Sequence, residues 1–192
     1  MVEISASELF LIRHGPTDMP GHLCGRTDAG LAANVTFPQK FALGRVTSIW
    51  TSPAMRARDT AKGLWPGRNC RHDARLWEQD FGDWDGLAYA DVPDMGELSG
   101  NALADLAAPG GESFRDVVTR VRPAIRAAAD DALATGPVAI VAHAGVIRAA
   151  LAVAMEDVAA ALAFEVDHLS VTRLRCLPGG ALTIISVNGA LK

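Results

Sequence analysis

The sequence predicts a three-layer α/β/α domain whose central sheet is mostly parallel, with an antiparallel edge. Three observations lead there. Short apolar segments at 9–12, 46–51 and 138–142 alternate with longer stretches of helical periodicity, the pattern of strands joined by crossover helices. The segment 138–142, Val-Ala-Ile-Val-Ala, is apolar on both faces, as a central parallel strand is when helices cover both of its sides. Two further strand-like segments, 170–176 and 182–187, flank Pro178-Gly179-Gly180 and read as a closing hairpin.

The elements follow in order. The first strand, 9–12, ends abruptly in Arg13, His14 and Gly15. Residues 16–33 are rich in Gly, Pro, Thr and Asp and read as a long loop, and 38–43 reads as a short helix. The second strand, 46–51, runs into Ser52-Pro53, a helix start with Ser52 as N-cap and Pro53 at the first helical position. That helix covers 54–65 and stops at Pro66-Gly67. A short strand is expected at 69–73. Residues 76–86, with Trp77, Phe81, Trp84 and two glycines, read as a structured loop. Residues 91–111 are irregular apart from a short helix at 102–106. Ser113 and Asp116 form a capping box, with Asp in place of the usual Glu, and open a helix that runs to 134 and ends at Gly136-Pro137. A last helix covers 144–155. Internal repeats, low-complexity tracts and linkers are absent from the sequence, and 1–192 reads as a single domain.

Composition narrows the function classes. Hydrophobic residues make up 49% and charged residues 21%, which supports a buried core and argues against disorder. The net charge of −4 leaves no basic excess for nucleic acid. The apolar-rich run 146–163 is interrupted by Arg148, Glu156 and Asp157, so no membrane span is expected. Cys24, Cys70 and Cys176 are odd in number and widely spaced, as free thiols are, and the N-terminus lacks a signal-type core. A cytoplasmic protein is the expectation.

Three strand ends deliver polar groups: Arg13 and His14 from the first, Ser52 and then Arg56 after the second, and His143 from the central one. Parallel strands align their C-terminal ends, so these groups converge in the crevice where open α/β sheets bind ligands. Two guanidinium groups, two imidazoles and a nearby helix N-terminus make an anion pocket. An imidazole is also a nucleophile toward phosphorus, and a guanidinium holds phosphate oxygens in pairs. No cluster of carboxylates or histidines has metal-ligand spacing, so neither metal nor cofactor is expected.

Leu11-Ile-Arg-His-Gly15 resembles the signature of the histidine phosphatase superfamily, also called the phosphoglycerate mutase-like family. Four more blocks follow in that family's order: Ser52-Pro-x-x-Arg56-Ala-x-x-Thr60-Ala61, the segment from Leu76 through Glu78 and Phe81 to Gly86, Pro109-Gly-Gly-Glu-Ser113, and His143-Ala-Gly-Val-Ile-Arg148. The resemblance implies that His14 accepts the phosphoryl group as a phosphohistidine. It implies that Arg13, Arg56 and His143 hold the transferring oxygens, and that Glu78 protonates the leaving alcohol and then activates water. Asp80 and Asp83 lie in the same loop and are alternative acids. Thr17, Arg26, Thr27 and Ala144 are further candidates for substrate contact, with Arg26 either reaching the substrate or facing solvent. Trp77, Phe81 and Trp84 are expected to pack, Arg148 to tether its helix, and His22, His72 and His168 to be structural or exposed.

The chemistry is consistent with these roles. Phosphoryl transfer is mostly positioning and charge stabilisation. A neutral imidazole is abundant at pH 7 given an ordinary pKa of about 6.5. A carboxyl beside a bound phosphate is favoured in its protonated form by the like charge, as a general acid requires.

The sequence also departs from the family pattern. Pro16 replaces a common Glu, Pro20 replaces a common Asn, and the usual Gly-x-x-Gln is missing from 34–41. The segment 83–91 is acidic where mutases of the family carry basic residues. That favours a phosphatase using water over a mutase, and a substrate whose non-phosphate part is neutral or cationic. The short length and the Arg13-His-Gly-Pro-Thr-Asp18 and Cys24-Gly-Arg-Thr-Asp28 segments resemble those of alpha-ribazole phosphatases. The expected reaction is therefore metal-independent hydrolysis of a small phosphate monoester. The alternatives are a phosphoglycerate mutase-type transfer and a non-catalytic module that binds a phosphorylated ligand.

Overall fold

The computed structural model describes residues 7–38 and 46–191. Residues 39–43 of the helix expected at 38–43 lie outside them. The core of the fold is set by β4 (Val138–Ala142), which lies between β1 (Ser7–Arg13) and β2 (Ser48–Thr51) and pairs parallel with both. β3 (Arg71–His72) extends the sheet beyond β2. On the other side β5 (Ser170–Cys176) pairs antiparallel with β1, and β6 (Leu182–Ala190) pairs antiparallel with β5, giving the order β3-β2-β4-β1-β5-β6.

The alternation of β4 builds the layers. Val138, Ile140 and Ala142 join a core with α3 (Phe114–Thr135) and α4 (Ala144–Met155), while Ala139 and Val141 face α1 (Met55–Leu64) through Ala57, Ala61 and Leu64. On α3 the buried residues Val117, Val121, Ala124, Ile125, Ala128 and Ala132 form one helical stripe. The capping box at its start is formed: Ser113 Oγ accepts from the Asp116 amide at 3.2 Å, and Asp116 accepts from the Ser113 amide at 3.0 Å. The helix ends at Gly136, whose φ of 114° suits glycine.

Several sequence expectations need adjustment. The second strand begins at Ser48 and the third shrinks to two residues. The short helix α2 (Gly100–Asp105) starts two residues early because Ser99 caps it, and α5 (Val158–Ala161), capped by Asp157, was not anticipated. Ser52 is not the N-cap of α1. Ala54 takes that position, and the amide of Met55 is satisfied from outside the helix by Asp28 Oδ1 at 2.6 Å. The Ser52 hydroxyl is engaged elsewhere, with the Ala54 amide at 3.2 Å and with the His143 ring.

Candidate active site

β2, β4 and β1 are neighbours and end at the same edge. The ladder runs one residue past each strand: the His14 amide donates to Ala142 O at 2.9 Å, and the Ser52 amide donates to Val141 O at 3.0 Å. His14, His143 and Ser52 therefore leave the sheet side by side. The two imidazole rings meet edge to face at 5.1 Å.

His14 is 6% exposed. Its Nδ1 lies 2.7 Å from the carbonyl of Gly15. A carbonyl only accepts, so this contact places the ring proton on Nδ1 and leaves the lone pair on Nε2. Burial pushes His14 well below the usual imidazole range, and the charges of Arg56 and Arg13 add to the effect. The turn after His14 is pinned by Thr60, whose hydroxyl accepts from the Gly15 amide at 2.9 Å and donates to Arg56 O at 2.7 Å.

His143 is fully buried and is held neutral by burial and then by Arg56. Its Nε2 is 2.9 Å from Ser52 Oγ. The same hydroxyl accepts from the Ala54 amide, and it donates to or accepts from Nε2 according to the His143 tautomer. Nδ1 of His143 and Nε of Arg13 are buried and have no hydrogen-bond partner among the described residues.

The arginines are fixed by backbone carbonyls. Arg56, 1% exposed, donates to Thr27 O at 3.0 Å, Cys24 O at 2.7 Å and Gly25 O at 3.1 Å. Arg13 donates to Val166 O at 2.7 Å and to His168 Nε2 at 3.2 Å. Burial lowers the pKa of both from the ordinary guanidinium value, and neither loses its charge near neutral pH. Glu78 approaches from the loop after the 3₁₀ turn Ala74–Leu76, and its carboxylate accepts from the amides of Gln79 at 2.9 Å and Gly145 at 3.2 Å.

These groups surround a cavity of about 620 Å³. Of the residues singled out from the sequence, Arg13, His14, Thr17, Arg56, Glu78 and Ala144 line it. His143 lies behind His14 rather than in the wall. Arg26 and Thr27, candidates for substrate contact, do not line the cavity. Arg26 pairs with Asp80 at 3.3 Å and lies over Trp77, and the carbonyl of Thr27 holds Arg56. Asp80 and Asp83 are likewise outside the wall, which Glu78 lines. Phe81, expected only to pack, reaches the cavity, as do Arg148 and His22.

The inference from the acidic 83–91 segment also needs correction. Asp85 turns inward and accepts from the amides of Gly25 and Thr27, both at 3.2 Å, and from that of Arg26. Glu78 is the sole carboxylate of the cavity wall among the described residues, whereas Arg13, Arg56 and Arg148 all reach it. The cavity is therefore basic, and a cationic substrate is disfavoured.

Sequence reasoning missed four residues of the site. Ser52 was hidden by its resemblance to a cap. Thr60 stood in a matched block without an assigned task. His168, expected to be structural or exposed, is exposed and also lines the cavity. Arg120, on α3, makes a bidentate pair with Glu112 (2.6 and 2.7 Å) and donates to the carbonyls of Arg75, Trp77 and Glu78. No local signal distinguishes it from other helix arginines.

Comparison with known proteins finds relatives along most of the chain. The family model of the histidine phosphatase superfamily (branch 1) matches residues 9–188. Glucosyl-3-phosphoglycerate phosphatase of Mycobacterium tuberculosis is 37% identical over 169 residues, spanning 75% of this chain and 73% of that protein. The structure of a mycobacterial glucosyl-3-phosphoglycerate phosphatase with inorganic phosphate superposes with a TM-score of 0.76 at 29% identity, covering 96% of this chain and 98% of the other. The alpha-ribazole phosphatase of Shigella flexneri also superposes with a TM-score of 0.76, over 96% of this chain and 98% of the other. At 22% identity it shows the fold alone.

Proposed function

The chain belongs to the histidine phosphatase superfamily and is a phosphatase, and from that premise we propose that it hydrolyses a small organic phosphate monoester through a phosphohistidine on His14, without a metal. The observation that carries this reading is the locked tautomer of His14: Nδ1–H is spent on Gly15, and Nε2 keeps its lone pair in a cavity that also holds Arg13, Arg56 and Glu78.

In the first step Nε2 attacks phosphorus, the ester P–O bond breaks, and protonated Glu78 gives its proton to the leaving alkoxide. The Gly15 carbonyl supports the positive charge that the phosphorylated ring acquires. Arg13 and Arg56 hold the equatorial oxygens, and His143 packs edge to face behind the attacking ring. In the second step Glu78 takes a proton from water as the water attacks phosphorus, the P–N bond breaks, and His14 returns to its neutral form. Residues 1–192 act as one catalytic domain in this reading. The three free thiols fit a reducing compartment such as the cytoplasm.

Among substrates, a phosphoglycerate that carries a glycosidically linked sugar is the first candidate. The 37% identity to glucosyl-3-phosphoglycerate phosphatase and the basic cavity wall support an anionic alcohol part. Alpha-ribazole 5'-phosphate is the second, resting on the short Arg13–Asp18 and Cys24–Asp28 segments.

The test is phosphate release by wild type and His14→Ala from a panel containing glucosyl-3-phosphoglycerate, alpha-ribazole 5'-phosphate and 3-phosphoglycerate, with chelator present. Release by wild type alone, with an acid-labile phosphoprotein trapped on rapid quenching, is expected. Equal release by the variant overturns the nucleophile. Isomerised 3-phosphoglycerate without release points to a mutase, and binding without turnover to a phospho-ligand module.

A further inference from the structure

A third imidazole, His168, stands in the cavity wall with its ring 5.2 Å from that of His14. It lies in the segment between α5 and β5, and its hydrogen bonds define its state. Nδ1 is 3.0 Å from the carbonyl of His14, so Nδ1 carries the proton. Nε2 is then an acceptor, and Arg13 Nη2 donates to it at 3.2 Å. Burial and the charge of Arg13 both favour this neutral form.

The rest of the segment grips the same arginine. Arg13 Nη1 donates to Val166 O at 2.7 Å, and the Leu169 amide donates to Arg13 O at 3.1 Å. To make that turn Leu169 adopts a φ of +58°, a left-handed conformation that a non-glycine residue rarely takes. The segment is itself fastened to β6: the Asp167 amide donates to Asn188 Oδ1 at 2.7 Å, and Asn188 Nδ2 donates to Asp167 Oδ2 at 2.9 Å. A free arginine side chain is flexible, and its ordering opposes oxyanion binding unless the protein has already fixed it.

We propose that His168 is a positioning residue: it ties the guanidinium of Arg13 to the main chain of His14, so that the phosphate-holding arginine and the attacking imidazole keep one relative geometry. This rests on the reading of Arg13 as a phosphate ligand. His168 itself needs no contact with the substrate.

The experiment is a double-mutant cycle between positions 168 and 13. His168→Phe removes both hydrogen bonds while keeping a ring against His14, and His168→Gln restores an acceptor able to reach Arg13. Affinity for inorganic phosphate is measured by calorimetry, and kcat and KM on an aryl phosphate, in the Arg13 and Arg13→Ala backgrounds. The expected result is a roughly 10-fold loss of phosphate affinity and of kcat in His168→Phe, largely recovered in His168→Gln, and no further loss when Arg13 is already alanine. Unchanged phosphate affinity in His168→Phe, or a loss that persists in full in the Arg13→Ala background, overturns the proposal. Should His168→Phe not fold, His168→Ala in the same two backgrounds decides by the same coupling. Phosphate binding needs no turnover, so a wild type that binds phosphate but hydrolyses nothing sinks the hydrolytic reading while the coupling still decides the role of His168. A wild type that binds no phosphate sinks both.

Discussion

At the scale of single residues, Gly145 shows how closely the site is built. It follows His143-Ala144 at the start of α4, and its amide donates to Glu78 at 3.2 Å. A Cβ at this position would overlap the Glu78 carboxylate. Gly145→Ala therefore displaces the acid while leaving His14, Arg13 and Arg56 in place. General acid catalysis is worth ~10²–10⁴-fold, and its loss is felt most when the leaving group is a poor one. The expected outcome is a kcat reduced about 100-fold on an alkyl phosphate but far less on p-nitrophenyl phosphate, with inorganic phosphate binding nearly unchanged. Comparing kcat on the two esters checks this, and an equal loss on both would remove Glu78 from the proton-transfer role. Glycine at 145 was visible in the sequence as part of a block, but its reason was not. That reason is a carboxylate arriving from a loop 67 residues away. Ser52 is the converse: its identity suggested a cap, a local role, and it is the partner of His143, a long-range one.

At the scale of elements, the strands and long helices were legible because each carries its own signal. β4 is apolar throughout, α3 opens on a capping box and closes on glycine, and α4 has the bounds expected for it. The loops were not legible, because what orders them is borrowed from elsewhere. The segment that carries Glu78 has no more than a 3₁₀ turn of its own, Ala74–Leu76, and hangs from Arg120 on α3, which gathers three of its carbonyls and is held by Glu112. Glu112 is itself kept below the ordinary carboxylate range by the Arg120 contact, against the opposing effect of its burial. Arg120→Met retains the hydrophobic stem and removes these bonds. Hydrogen bonds to charged groups are worth about 1.5–3 kcal/mol each, and the Glu112 carboxylate is left partly buried without its partner. The variant should lose about 2–3 kcal/mol of stability in urea denaturation, and its kcat should fall with little change in KM. A variant that loses stability but keeps kcat would mean that the loop holds Glu78 without help from α3.

At the scale of the whole molecule, three neighbouring parallel strands end together, and so the fold buries two imidazoles, His14 and His143, side by side and near two arginines, with the more exposed His168 ring against His14. All three have pKa values lowered first by burial, and His14 and His143 strongly. Between the unfolded value of about 6.5 and the lower folded values, the unfolded chain binds more protons than the native one. Stability is therefore full above about pH 6.5 and declines as pH falls below it, by at most about 1.4 kcal/mol per pH unit for each of the buried His14 and His143, the exposed His168 adding little. The depressed carboxylates Asp73, Glu112 and Asp116 act in the same direction, but their contribution is lost only below the ordinary carboxylate range near pH 4, so the two windows separate. The Tm measured by calorimetry at constant ionic strength should be level from pH 8 to 7 and fall between 6.5 and 5, and the fall should be shallower in His14→Asn/His143→Asn. A Tm that holds steady down to pH 5 would mean that these rings accept protons without cost, and that the nucleophile is not kept neutral by its burial. The same linkage connects stability to catalysis: the burial that keeps Nε2 of His14 unprotonated in mild acid is also what makes the folded chain sensitive to that acid.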